Sequence, residues 1–190
     1  MSNILINIKG LDSQELPKGI TPLQIMHETK GISKESVICK VDGQLTDLSA
    51  ELLNDCELQF MDAKSKDGHS VLLHSTAHLM AQAVKRLFPK TKVTIGPYLD
   101  NRFYYDFDVE TPFTEEDLSK IEDEMLKISN ENLEIVHEVK SRDEAIKYFD
   151  KIGENYKVEI INDLDKDETL KMYSQGEFTD SVSYTHLRAH

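Results

Sequence analysis

Apolar positions at the start of the chain alternate. In NILINIK, Ile4, Ile6 and Ile8 share one face, the period-2 pattern of a half-buried strand. GLDSQELPKGI reads as a turn and a returning strand. TPLQIMHETKG predicts a short helix, with Thr21 as N-cap, Pro22 in the first helical position and Gly31 at the end. The Asp42-Gly43 pair between the apolar runs of SVICKVDGQLTDL predicts a hairpin turn. CELQFM, Cys56 to Met61, predicts a final strand.

Two strands, a helix and further short strands give residues 1–62 the plan of a β-grasp, ubiquitin-like module. Residues 63–70 are polar and short of apolar anchors, so they read as a linker. Ser70 is placed to cap the helix that follows, and Pro89 closes it. Within that helix Leu73, Ala77, Met80, Val84 and Leu87 form a core stripe, with His74 and His78 at its edge. KVTIGPYLDNRFYYDFDV predicts two strands around a turn at Leu99 to Arg102. TEEDLSKIEDEMLKISNEN predicts an acidic helix whose Thr114 and Asp117 form a capping box. LEIVHEVK alternates as a strand, and SRDEAIKYF opens a helix with Ser141 and Glu144 as its box. NYKVEIIND fits a helix or a strand, and TLKMYSQGEFTD predicts a hairpin turning at Gln175-Gly176. The fold class expected is α+β.

Composition narrows the function. No run approaches the roughly 20 apolar residues needed to span a bilayer. The N-terminus lacks a basic region followed by a long apolar stretch, so no signal peptide is visible. The two cysteines, Cys39 and Cys56, lie in apolar segments, which fits buried thiols in a reduced cytoplasmic protein. The net charge is −13 (22 basic against 35 acidic residues), which argues against coating of nucleic acid. Neither DNA nor a membrane is expected as a partner. Residues 64–99 are nevertheless basic, with six Lys or Arg against one acid, and Lys85, Arg86, Lys90 and Lys92 are candidates for one anionic contact.

The histidines carry the candidate chemistry. At i, i+4 on a helix their Cβ atoms are about 5–6 Å apart, close enough to share a metal, a water or a hydroxyl. A zinc site needs three or four ligands, and only His137 and His186 remain downstream, since Cys39 and Cys56 lie in the other module. Without a metal, paired imidazoles can orient water, move a proton or bond ribose hydroxyls near neutral pH. They can equally be structural.

HSTAHLMAQAVKRLFP, IGPYLDNRFYYDFD and GEFTD, behind a β-grasp module and a linker, occur in the order seen in threonyl-tRNA synthetases, which residues 1–180 resemble. The first module is similar to their TGS domain, and residues 71–180 to their N2 editing domain, related to alanyl-tRNA synthetase editing domains. The resemblance implies hydrolysis of mischarged seryl-tRNA(Thr), because a missing methyl gives only about 1–3 kcal/mol of discrimination at the charging step. It implies that His74 and His78 hold the terminal ribose and the attacking water. Tyr105 would line the pocket, Lys157 would contact water or ester, and Asp180 would bind the seryl amino or hydroxyl group. The acceptor end of tRNA(Thr) becomes the partner expected at the basic segment. Editing would need no cofactor; ATP, magnesium and zinc would belong to an aminoacylation core not seen in this sequence. The full-length enzyme is expected to be a homodimer through parts absent here.

The chain departs from the family after FTD. There a Leu-Cys-Arg-Gly-Pro-His run is expected, whereas this sequence reads SVSYTHLRAH, with Val182 at the Cys position and His186 at the His position in foreign surroundings. Residues 181–190 therefore read as a non-native tail, and the editing site as lacking its thiol side. Two rival readings remain. One is a free-standing alanyl-editing-like deacylase with zinc on His74, His78 and His186. The other is a non-catalytic RNA- or protein-binding module with structural histidines.

Overall fold

The computed structural model describes residues 2–96, 98–99, 102–165 and 170–183. The protein is α+β and divides into two compact units, Met1–Leu73 and His74–His190. Among the described residues no helix is long and apolar enough to cross a membrane.

The first unit is a five-stranded sheet with one helix, α1 (Pro22–Glu28). Its strands are β1 (Asn3–Ile8), β2 (Gln14–Pro17), β3 (Ser36–Val41), β4 (Gln44–Thr46) and β5 (Cys56–Asp62), ordered β2-β1-β5-β3-β4. The central β1–β5 pair is parallel and the others antiparallel. Alternation in β1 sends Ile4, Ile6 and Ile8 into a core shared with Ile25, Cys39, Leu52 and Leu58. The Thr21 cap forms as the sequence predicts, with a reciprocal bond to Gln24. Asp42 and Gly43 both take positive φ, 50° and 82°, as a two-residue primed turn requires.

The helix expected to start after Ser70 starts earlier. α2 runs Lys66–Leu87, so residues 66–70 are helical rather than linker. Ser65 acts as the cap, its Oγ accepting from the Gly68 N–H at 3.1 Å, while Ser70 Oγ donates back to the Lys66 carbonyl. Only glycine suits position 68, where a Cβ would lie 1.9 Å from the Asp62 carbonyl oxygen.

In the second unit two short ladders are nested. β6 (Lys92–Val93) pairs with β9 (Phe107–Asp108), and inside them β7 (Tyr98–Leu99) pairs with β8 (Arg102–Phe103). Residues 100–101 of the expected turn lie outside the described residues. α3 (Glu115–Glu131) and α4 (Arg142–Lys151) each start with the capping box expected of them. β10 (Ile135–Lys140), β11 (Leu170–Gln175) and β12 (Phe178–Ser183) form an antiparallel sheet in that order. NYKVEIIND is helical, α5 (Asn155–Asp163): helical spacing buries Lys157 and Ile161, whereas alternation would have buried Tyr156, which is exposed. β12 continues past Asp180, with Ser181–Ser183 still paired to β11.

The α2 stripe is rotated from its expected position. Ala77, Ala81, Ala83 and Val84 are buried, Leu87 is exposed, and His78, expected at a partly exposed edge, is only 3% exposed. Small side chains on the buried side let the helix approach Val93, Tyr105 and Phe178 closely, which carries the neighbouring imidazole inward.

Candidate active site

Four elements deliver side chains to one buried carboxylate. Asp180 comes from β12, Lys157 from α5, His78 from α2, and Tyr105 from the loop before β9. Lys157 Nζ lies 2.5 Å from Asp180 Oδ1. The Tyr105 hydroxyl donates to Asp180 Oδ2 at 2.6 Å and accepts from Lys157 Nζ at 3.0 Å. The Ser181 N–H adds a bond to Asp180 Oδ1. His78 Nδ1 is 3.2 Å from Oδ2, within reach of a charge contact yet out of line for a hydrogen bond. On its other side His78 Nε2 meets His74 Nε2 at 2.9 Å.

The electrostatics follow from the geometry. Burial alone would push the Asp180 carboxyl up, but the Lys157 ammonium and the His78 contact outweigh it and hold the group well below the usual carboxylate range. Burial, then the Asp180 charge, drives the Tyr105 phenol well above its ordinary value, so it stays a neutral donor. Two imidazole nitrogens at hydrogen-bond distance need one proton between them. The anionic Asp180 beside Nδ1 favours that atom as the protonated nitrogen of His78, leaving the Nε2 lone pair to accept from His74. The cluster thus offers a basic nitrogen beside a half-buried imidazole, backed by a fixed negative charge.

All five residues to which the sequence assigns catalysis or substrate contact, His74, His78, Tyr105, Lys157 and Asp180, fall in this cluster. The basic segment does not behave as expected. Lys85 Nζ bonds the buried Glu154 at 2.6 Å and the Thr91 carbonyl, and Lys92 Nζ bonds the Gly153 carbonyl. Arg86 is held by Glu131, Glu177 and Glu124, and its bonds keep the Glu177 carboxyl at about 2. Lys85 and Arg86 thus pair with carboxylates of the same unit, Glu154 and Glu124 largely buried and Glu131 and Glu177 exposed, Lys92 with a backbone carbonyl, and Lys90 is exposed. His186 lies outside the described residues, and among those described no group of three His, Cys, Asp or Glu side chains could hold a metal.

Sequence reasoning missed two members. Tyr173 is buried and stacks on His78, with ring centroids 4.7 Å apart and planes at 26°. The hairpin turns at Gly176-Glu177, one residue past the expected Gln175-Gly176, and it is this shifted register that places Tyr173 opposite Asp180. Gly96 is the second: a Cβ there would lie 2.1 Å from the Tyr105 ring, so glycine is needed for that ring to sit where it does.

No family model matches the chain. Curated relatives do, and they agree. The chain is 46% identical over 175 residues to a threonine–tRNA ligase of Symbiobacterium thermophilum, which covers 92% of the chain and 27% of the relative. It is 45% identical over 188 residues to that of Pelobacter propionicus, covering 98% of the chain and 29% of the relative. For Fusobacterium nucleatum the figures are 48% over 174 residues, 91% and 27%. The chain thus spans under a third of the length of these relatives. Over the segment that it matches, this chain belongs to the threonine–tRNA ligase family.

Proposed function

We propose that the chain is the N-terminal TGS-like and editing region of a threonine–tRNA ligase, and that its second unit hydrolyses the ester of seryl-tRNA(Thr). The five-stranded first unit, with its central parallel pair and single helix, fits a β-grasp TGS domain. The observation that carries the editing reading is the burial of Lys157, Asp180 and His78 together. A lysine, an aspartate and a histidine, all at least 95% buried, are a costly way to stabilise a fold and a suitable way to receive a small polar group. In this reading Asp180 and Lys157 recognise the amino and hydroxyl groups of a serine, and Tyr105 closes the wall where a methyl would collide. The His74–His78 pair, which holds one proton between its two Nε2 atoms, takes up a further proton as a unit from a water or a ribose hydroxyl and so directs the oxygen at the ester carbon. Val182 in place of the family's cysteine lowers the rate without removing these groups.

The test is deacylation of purified seryl-tRNA(Thr) and threonyl-tRNA(Thr) by the chain. The seryl ester should hydrolyse faster than in buffer, with preference over threonyl by roughly 10-fold or more. Seryl-tRNA(Thr) surviving as long as in buffer would defeat the reading.

A further inference from the structure

We propose that Tyr173 is a positioning residue of this site, clamping the His78 ring so that its proton stays on Nδ1 and its Nε2 lone pair faces His74. The inference rests on the editing reading only where it assigns His78 a chemical task.

The two polar contacts of His78 do not hold it by themselves. The Nδ1 approach to Asp180 is out of line, and the Nε2 contact is to a second imidazole that is itself only half-buried. What fixes the ring plane is the face of Tyr173, 4.7 Å away at 26°. Tyr173 cannot swing aside easily. It sits on the central strand β11, 5% exposed, between cross-strand partners His137 on β10 and Asp180 on β12. The His137 ring abuts it edge-on, at 5.3 Å and 73°. One rung of the sheet therefore supplies both the carboxylate that selects the tautomer and the ring that holds the imidazole against it. Among the described residues the titratable groups around His78 are His74 on its own helix, Asp180 on β12, Lys157 and Tyr105 through that carboxylate, and Tyr173 and His137 on the sheet. Among them the tyrosine ring acts by shape, since stacking constrains the plane while leaving both nitrogens free to bond.

The experiment is nitrogen-15 NMR of the histidine rings in the whole chain, with deacylation kinetics alongside. Wild-type His78 should show the neutral tautomer protonated on Nδ1. Tyr173→Leu should give a signal averaged over both tautomers, with kcat for seryl-tRNA(Thr) down about 10-fold or more and KM little changed. Tyr173→Phe, which keeps the ring, should retain the wild-type tautomer and a rate within about 2-fold. A wild-type His78 protonated on Nε2 overturns the proposal. So does a Tyr173→Phe chain that loses the tautomer, or a folded Tyr173→Leu chain unchanged in tautomer and rate. If Tyr173→Leu fails to fold, the wild-type and Phe measurements decide. Should no ester be hydrolysed while Tyr173→Leu still scrambles the tautomer, the editing reading falls and the clamp stands.

Discussion

The two units solve burial in different ways. The first hides isoleucines, leucines and two thiols, and among its described residues the one buried polar side chain is Ser36, bonded locally to Ser33. The second hides His78, Gln82, Thr91, Glu154, Lys157 and Asp180. Both reach a packed interior, so the polar set of the second unit is not a requirement of folding at this size. A hydrophobic core stabilises by area removed from water, whereas a buried ion pair roughly breaks even. The contrast is that the second unit buries a set of polar and charged side chains where the first buries apolar ones.

The sharpest way to break the comparison is to strip one charge from the cluster. Lys157→Met leaves Asp180 buried without its cation and should destabilise the second unit by about 3–5 kcal/mol. Replacing the polar set together, as Lys157→Met, Asp180→Leu and Tyr105→Phe, should recover most of that loss, because no buried charge is then left without its counter-charge, although the Ser181 N–H and His78 Nδ1 lose the carboxylate. Urea unfolding followed by hydrogen exchange in each unit reads both effects. If the triple variant is less stable than Lys157→Met alone, the cluster is structural after all.

The first unit should respond to methylenes instead. Ile6→Ala, at a fully buried position on a central strand, should cost roughly 2–5 kcal/mol there, and Ile6→Val about 1. The same denaturation series checks this.

Acid and base should divide the units. Asp180 has its folded value depressed, so its contribution is present above the ordinary carboxylate range and is lost as pH falls through the folded value; the second unit is the acid-sensitive one. Burial pushes the Cys39 thiol from 9.0 up to about 12, so the first unit loses stability as pH rises from 9 toward 12. Hydrogen exchange at pH 3 and pH 10 should show opposite units opening first.

The smallest effect should be the same in both. Thr21→Ala and Thr114→Ala each remove a capping-box acceptor and should each cost about 1 kcal/mol. Unequal losses, seen as different shifts in midpoint, would show that the two helices differ in more than their interiors.

Much of this was legible in the sequence because it is local. The caps at Thr21, Thr114 and Ser141, the Asp42-Gly43 turn and the β1 alternation need only neighbouring residues, and all formed, while the turn expected at Gln175-Gly176 formed one residue later, at Gly176-Glu177. The non-local parts were harder. Ser65 competed with Ser70 as a cap, and Asp62 decided it by accepting the Ser65 hydroxyl. The basic run from Lys85 to Lys92 looked free because its partners, Glu154, Glu131 and Glu177, lie some 45 to 91 residues away. Nothing local predicts that Lys157, in a segment ambiguous between helix and strand, is buried, or that Tyr173 faces His78. The i, i+4 spacing singled out His74 and His78, whereas Tyr105, Lys157 and Asp180 were reached through likeness to a family and not through pattern.

The most direct test of the central claim combines folding with chemistry in one variant. The triple variant Lys157→Met, Asp180→Leu and Tyr105→Phe should keep the native melting profile within a few degrees, by the break-even of buried pairs, and yet hydrolyse seryl-tRNA(Thr) no faster than buffer. A triple variant that folds and deacylates at the wild-type rate would contradict the account, because the buried charges would then serve neither the fold nor the reaction.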